Sequence, residues 1–437
     1  MPLPEYDTAC NPALVIIQAR ATQFDGPFYK YLAEAGRFTF RVYFTETADA
    51  LRPYDPEISR HPDWSSDTVS GYPYSVFPVG VPARLRMCLS IVTARPSLII
   101  VSGWRSFEGC LILLLANFVR IPVGLRADNC LPPDGAKPTP LLKRLARACL
   151  FRLFTTGHPV GTLAAEYMIS CGLDRSRLFE FPYLVDRDSL TRLNQSALRD
   201  RRSVRANLRI QPDDFVIVGV MKFVDREDPL TLVRAFSSLQ SMLREASDRV
   251  GKTDAGGSAL RKPNRCHLIL IGDGPLRSEI EELISTEDAD LVHMPGYVSY
   301  GSLPSYFAIS DVLVHSAKGE SWGVTVNEAL VCGLPVIAAD SVGSTVDLIE
   351  SGVNGFTFPS GNSPALAELL KTLLRKPELV TEMKAASMRP KALSRFTSNS
   401  TANSLASALD FARSGRTTLE GRGCVPANTP DRSGKIR

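Results

Sequence analysis

Apolar positions along the chain fall into short β-branched runs separated by amphipathic segments. The first run, ALVIIQA from Ala13, has no polar face, which predicts a strand covered on both sides. A loop, TQFDGP, leads into FYKYLAEAGR, a predicted helix with its stop at Gly36, and RFTFRVYFTE from Arg37 predicts the next strand. PSLIIVSGW from Pro96, the helix FEGCLILLLANFV and the strand IPVGLRADN extend the alternation. LPPDGAKPTP (131–140) reads as a Pro-rich loop, and PLLKRLARACLFRLFTT as a basic amphipathic helix running into a strand.

A charged, weakly patterned stretch at 187–208 reads as an interdomain connection. The alternation restarts at DDFVIVGVMKF, followed by a helix, LTLVRAFSSLQSMLREA, and a polar surface insertion, DRVGKTDAGGSALRKPNR. CHLILIGDGPLRSEIEELI predicts strand, tight turn and helix, and DLVHMPGYV, SDVLVHSA and LPVIAAD predict further strands. The chain thus holds two successive βα-rich halves. Polar residues gather where the strands run out, the place where open α/β sheets bind ligands. A closing helix, STANSLASALDFA, precedes a tail from Gly415 without apolar period, which predicts disorder.

Composition narrows the function classes. At 437 residues two domains are the prior, and the net charge of +4 with no interleaved basic and aromatic patch argues against nucleic acid. Nine scattered cysteines and five solitary histidines suggest neither a disulfide framework nor a metal centre. Asp288-Ala289-Asp290 imitates a D-x-D metal motif but reads as a solvated acidic loop. The N-terminus lacks the plan of a signal peptide, and the most apolar run, CLILLLANFV from Cys110, is too short to span a bilayer. A cytoplasmic protein is expected.

The richest chemistry lies in ESWGVTVNEALVCG, residues 320–333. A buried strand, DVLVHSA, ends just before it, and a helix from about Val324 to Cys332 is stopped by Gly333. A helix start exposes unpaired N–H groups with partial positive charge and attracts phosphates, and Gly323 lets such a group come close. Glu320 then faces whatever the phosphate bears, and Glu328 reaches back along the nucleotide side, where a carboxylate accepts both ribose hydroxyls.

Residues 320–328 resemble the E-x7-E motif of the family-4 retaining glycosyltransferases, which have the GT-B fold of two Rossmann-like domains facing across a cleft. LILIGDGPLRSEIEEL (268–283), GYVSYGSLPSYFAISDVLVHS (296–316) and NEALVCGLPVIAADSVGSTVDLIESGVNGFTF (327–358) are similar to the family in the same order and spacing. The N-terminal half is similar only at QFDGPFYKYLAE and PVGLRADN. The resemblance implies an acceptor-side domain over 1–200, a nucleotide-sugar-binding domain over 205–394, a helix at about 395–413 packing back on the first domain, and a tail from 414.

By the same resemblance, Glu320 would contact the donor sugar. The amides of Ser321, Trp322, Gly323 and Val324 would hold sugar and diphosphate, Glu328 the ribose, and the backbone at Tyr297 and Val298 the base. Asp25-Gly26 would form the loop across the cleft. Arg126, Asp128 and His158 stand at strand exits as candidates for the acceptor side. In GVMKFVDREDP, Lys222 matches a basic position facing the diphosphate, but Met221 replaces a common Gly, and Glu227 stands where a second basic residue is usual. Arg226, beside it, is expected to take over. The loss of one such cation removes a charge-assisted hydrogen bond of roughly 1.5–3 kcal/mol.

The implied reaction is transfer of a hexosyl group from a nucleotide-diphosphate sugar, UDP by default, to a hydroxyl of a glycan or lipid-linked acceptor, with retention and without metal or other cofactor. Polysaccharide or glycoconjugate biosynthesis is the implied setting. The basic helix with Lys143, Arg144, Arg147 and Arg152 reads as a core-packed helix with a basic outer face, the alternative being a peripheral seat on the inner face of a membrane. A nucleotide-sugar epimerase of the same fold and a non-catalytic sugar-nucleotide binder are the alternatives.

Overall fold

The computed structural model describes residues 11–46, 54–61, 63, 68–103, 106–130, 140–250, 265–287, 289–388 and 393–420. The first half contains β1 (Leu14–Gln18), α1 (Gly26–Ala35), β2 (Phe40–Phe44), β3 (Tyr74–Val76) and α2 (Val81–Thr93). It continues through β4 (Leu98–Ser102), α3 (Phe107–Phe118), β5 (Val123–Ala127), α4 (Leu141–Phe151), β6 (Thr156–Pro159) and α5 (Thr162–Ser170). Its six strands form one parallel sheet in the order β3-β2-β1-β4-β5-β6. β1 is buried at all five positions, as its unbroken apolar run requires.

After α6 (Arg187–Asn207) come β7 (Phe215–Val220), α7 (Pro229–Val250), β8 (Cys266–Ile271), α8 (Arg277–Thr286), β9 (Val292–Gly296) and α9 (Leu303–Ile309). Then follow β10 (Val312–His315), α10 (Val324–Val331), β11 (Val336–Ala339), α11 (Thr345–Leu348), β12 (Gly355–Phe358), α12 (Ser363–Arg375), α13 (Pro377–Ser387) and α14 (Ser398–Glu420). The second sheet is again parallel, in the order β12-β11-β10-β7-β8-β9. The strand order reverses between β10 and β7, so the loops leaving these two neighbours diverge and open a crevice at their carboxyl ends.

The stretch at 187–208, read as an interdomain connection, is a 21-residue helix lying against α9. Its pattern is weak because Arg205 fills one of its buried positions, donating to the carbonyls of Ile309, Gln211, Pro212 and Asp214 in place of apolar contact. The final helix runs to Glu420, past the start assigned to the tail, since a helix nucleated by a packed segment propagates cheaply. The remainder of that tail, the loop at 131–139 and most of the insertion lie outside the described residues.

α14 returns to the first half. Ala402, Leu405, Ala408, Leu409 and Ala412 are buried, Phe411 packs on Phe179 with ring centroids 5.6 Å apart, and Arg37 donates to Asn399 at 2.7 Å.

Candidate active site

A cavity of about 350 Å³ opens at the carboxyl ends of β7 and β10, a size typical of small-molecule sites. Lys222, Glu227, Tyr297, Val298, His315, Glu320, Gly323, Val324 and Glu328 line it, with Gln23 and Asp55 from the first domain. Most of the residues singled out in the second half therefore converge on one crevice.

Local hydrogen bonds fix this arrangement. The Ser316 hydroxyl donates to the Asp228 carbonyl (2.8 Å) and the Lys318 amide to the Arg226 carbonyl (2.9 Å), so the exits of β7 and β10 are tied together. From the β11 exit, the Gly343 amide donates to the Glu320 carbonyl (2.8 Å) and the Ser344 amide to that of Trp322 (2.9 Å). A side chain at 343 would put Cβ 2.0 Å from the Ser321 carbonyl oxygen, so this approach needs glycine. Gly323 caps α10 at φ +86°, a left-handed conformation that turns the chain into the helix and sets the first residues of α10, Val324 and Thr325, in the cavity wall.

The charges are unusually arranged. Lys222 Nζ lies 2.7 Å from Asp55 and 2.5 Å from Glu57, both contributed by the first domain. Burial lowers the Lys222 pKa, but these two carboxylates outweigh it and hold the ammonium charged. Arg226 reaches Glu320 (2.9 Å), Glu227 (3.0 Å) and Glu57 (3.4 Å). Arg60 completes the crossing segment, pairing with Asp273 at 3.3 Å and standing over the Tyr297 ring. The Asp63 amide donates to Tyr297 Oη at 2.8 Å. An acidic strap from the first domain thus covers the cations of the second.

Burial and the neighbouring Glu320 push the Glu227 carboxyl up to about 7, against the pull of Arg226 and Lys222. Glu328, 3% exposed, is raised to about 7 by burial alone. Glu320 is raised by burial, partly offset by Arg226. His315 is pushed down to about 4 by burial and then by Arg226, so its ring is neutral.

Other candidates sit elsewhere. Ser321 and Trp322 are outside the cavity lining; the Trp322 ring is buried against Phe396 (centroids 5.2 Å) and cements the domain interface. Asp25 and Arg126 form a buried ion pair at 2.8 Å, with Arg126 also donating to the Phe181 and Pro182 carbonyls. With Asp128, which accepts from Tyr183, they line a second pocket in the first domain. Gly26 starts α1 against the Thr68 backbone and lines neither pocket.

His158 does not reach the cleft. It lies inside β6, fully buried, its ring nitrogens 2.9 Å from Thr156 Oγ1 and 3.0 Å from the Phe179 carbonyl, and burial drives its pKa down to about 3. Asp290 pairs with Arg244 on the surface at 3.1 Å; Asp288 is outside the described residues. Asp55, Glu57 and His315 are site residues that motif reading overlooks. His315 had a signal, a histidine closing an apolar strand; the strap had none, since it belongs to no periodic element.

Residues 200–389 match the family model for glycosyl transferases group 1. The fold is GT-B. Over 91% of this chain and 99% of the other, the structure superposes on Anabaena HepE in complex with UDP (TM-score 0.67, 15% identity). It also superposes on sucrose-phosphate synthase from Thermosynechococcus elongatus over 93% and 99% of the two chains (TM-score 0.60, 14% identity). Among curated proteins, alpha-D-kanosaminyltransferase of Streptomyces kanamyceticus is 30% identical over 131 residues, 30% of this chain and 34% of its own. D-inositol 3-phosphate glycosyltransferase of Xylanimonas cellulosilytica is 27% identical over 229 residues, 50% and 49% of the two chains. The chain spans between a quarter and a half of the length of the curated relatives it matches.

Proposed function

We propose that this chain is a retaining glycosyltransferase of family 4, moving a hexosyl group from a nucleotide-diphosphate sugar to a hydroxyl acceptor. One observation supports it above all. Glu320 and Glu328, seven residues intervening, line the same crevice with the α10 amino end between them. UDP is the favoured nucleotide, because a structural neighbour of the same fold was solved with it.

In this reading the α10 amides and Lys222 hold the diphosphate, Glu328 the ribose, and the backbone near Tyr297 and Val298 the base. Asp55 and Glu57 leave the cations as the nucleotide enters. Negative charge develops on the departing diphosphate, where Lys222, Arg226 and the helix terminus stabilise it. Glu320 orients the sugar by hydrogen bonds to its hydroxyls. The acceptor attacks from the same face, its proton passing to the leaving phosphate, and the second pocket beside Arg126 and Asp128 receives the acceptor.

The acceptor is read as a glycan or a lipid-linked sugar of a glycoconjugate pathway, approached at a membrane surface. Leu141, Leu142 and Leu145 on α4 are more than half exposed beside Lys143, Arg144 and Arg147, as are Leu114 and Phe118 on α3. Among the described residues no helix is long and apolar enough to cross a membrane.

Thermal shift against UDP-, GDP- and ADP-sugars tests the donor assignment. A ligand at 100 times its Kd adds about 2.7 kcal/mol and raises Tm. Wild type should respond to the UDP sugar and Glu320→Ala should lose slow donor hydrolysis; no response to any of the three would refute the reading. Cosedimentation with anionic vesicles, weakened in Leu142→Glu/Leu145→Glu, checks the membrane seat.

A further inference from the structure

His315 closes β10 at 3% exposure, lines the cavity, and has no hydrogen-bond partner among the described residues at either ring nitrogen. Buried polar atoms are rarely left so, and an unpartnered pair on one ring points to a missing ligand. The ring does not stand alone. One ligand atom each from His315, Glu227 and Glu320 lie within 4.8 Å of one another. Around the crevice, Asp55, Glu57, Glu227, Glu320 and Glu328 gather about Lys222 and Arg226. A diphosphate would add further negative charge to a site already rich in carboxylates.

We propose that the crevice takes a divalent cation, held by Glu227, His315 and Glu320, together with the donor's diphosphate. Arg226 Nη1 holds that place here, at 3.0 Å from Glu227 and 2.9 Å from Glu320. Its side chain is 43% exposed and already extends toward Glu57, so it has room to turn outward onto the diphosphate as the cation enters. Donor atoms bound at about 2.1 Å in neighbouring positions stand about 3.0 Å apart, so ligand atoms now within 4.8 Å of one another close in by up to about 1.8 Å, through rotation of the two glutamate side chains. One oxygen of Glu320 binds the cation and the other remains for the sugar.

The donor set selects the ion. Two carboxylate oxygens and one imidazole nitrogen favour a transition-metal dication over Mg²⁺ and Ca²⁺, which favour oxygen throughout, and Mn²⁺ serves as the probe. The three ligands belong to this chain alone; completion by the diphosphate rests on the donor reading above.

The test uses the full chain, stripped with EDTA. Mn²⁺ is titrated without nucleotide and followed by loss of the free-ion EPR signal, and UDP binding is measured by calorimetry in EDTA and in Mn²⁺. About one Mn²⁺ per chain is expected, with UDP bound at least tenfold tighter in Mn²⁺ than in EDTA. His315→Gln and Glu227→Gln, checked for native melting, should each lose Mn²⁺ binding by at least tenfold. No Mn²⁺ uptake by wild type, or uptake unchanged in both variants, overturns the proposal. UDP binding equally well in EDTA overturns it while leaving the donor reading intact; Mn²⁺ uptake without UDP binding refutes the donor reading instead.

Discussion

Glu328 is a carboxylate held at a cost. It sits inside α10 at 3% exposure, with no hydrogen-bond or ion-pair partner among the described residues, and burial alone raises it from 4.5 to about 7. The native state therefore binds its proton more tightly than the unfolded chain does. The contribution is fully present below pH 4.5 and is lost as pH climbs through about 7. A shift of that size corresponds to about 3 kcal/mol. Glu328→Gln removes the titration but buries an amide, whose own cost is about 1 kcal/mol. The variant should therefore be more stable than wild type by about 2 kcal/mol at pH 8, and no more stable at pH 5. Urea unfolding of both proteins at the two pH values, followed by circular dichroism, measures the difference; the Glu227 titration occurs in both and cancels. On the proposed donor reading, in which Glu328 accepts from the ribose hydroxyls, the same variant should bind UDP at least tenfold more weakly. Equal stability differences at pH 5 and pH 8 would refute the linkage.

Three further outcomes are expected. Asp55→Asn/Glu57→Gln should tighten UDP binding roughly 5- to 30-fold at low salt, since a third-exposed Lys222 loses contacts worth about 1–2 kcal/mol in total after solvent screening; an unchanged calorimetric Kd would show that the strap does not compete. Gly161→Val should separate the domains, because a Cβ there would lie 2.2 Å from Trp322 Cζ3, and the radius of gyration from X-ray scattering should rise. Asp347, 2% exposed at its side chain, accepts from the Thr162 amide (2.8 Å) and from Arg395 (2.5 Å) across the same interface. Asp347→Ala should cost about 2 kcal/mol, less than a fully buried pair because Arg395 is 39% exposed and keeps Glu180, and the melting temperature reports it.

What could be read from sequence followed from periodicity. Runs such as VIIQ and FVIVGV become strands buried on both faces, and their unbroken apolar character announces it. The pair Glu320 and Glu328 was legible because strand exit and helix start fall within a few residues of one another. The apolar pattern does not mark β3, a three-residue edge strand of half-buried residues. His158 misled because a histidine near a strand end looks exposed, while its pairing with Thr156 and Phe179 depends on distant chain. The strap was invisible for the same reason: Asp55 and Glu57 acquire meaning only when tertiary structure brings them to Lys222, 165 residues beyond Glu57.

The return of α14 has a consequence for how the molecule is made and how it moves. The first lobe is discontinuous: its surface is finished by a helix that follows the whole second lobe in the chain, so it stays incomplete until both lobes have been synthesised. A fragment ending before Ser398 would expose the groove that Ala402, Leu405 and Leu409 now fill. Two chain crossings, one near α6 and one before α14, also join the lobes like a door on paired hinges, favouring rotation about one axis over free tumbling.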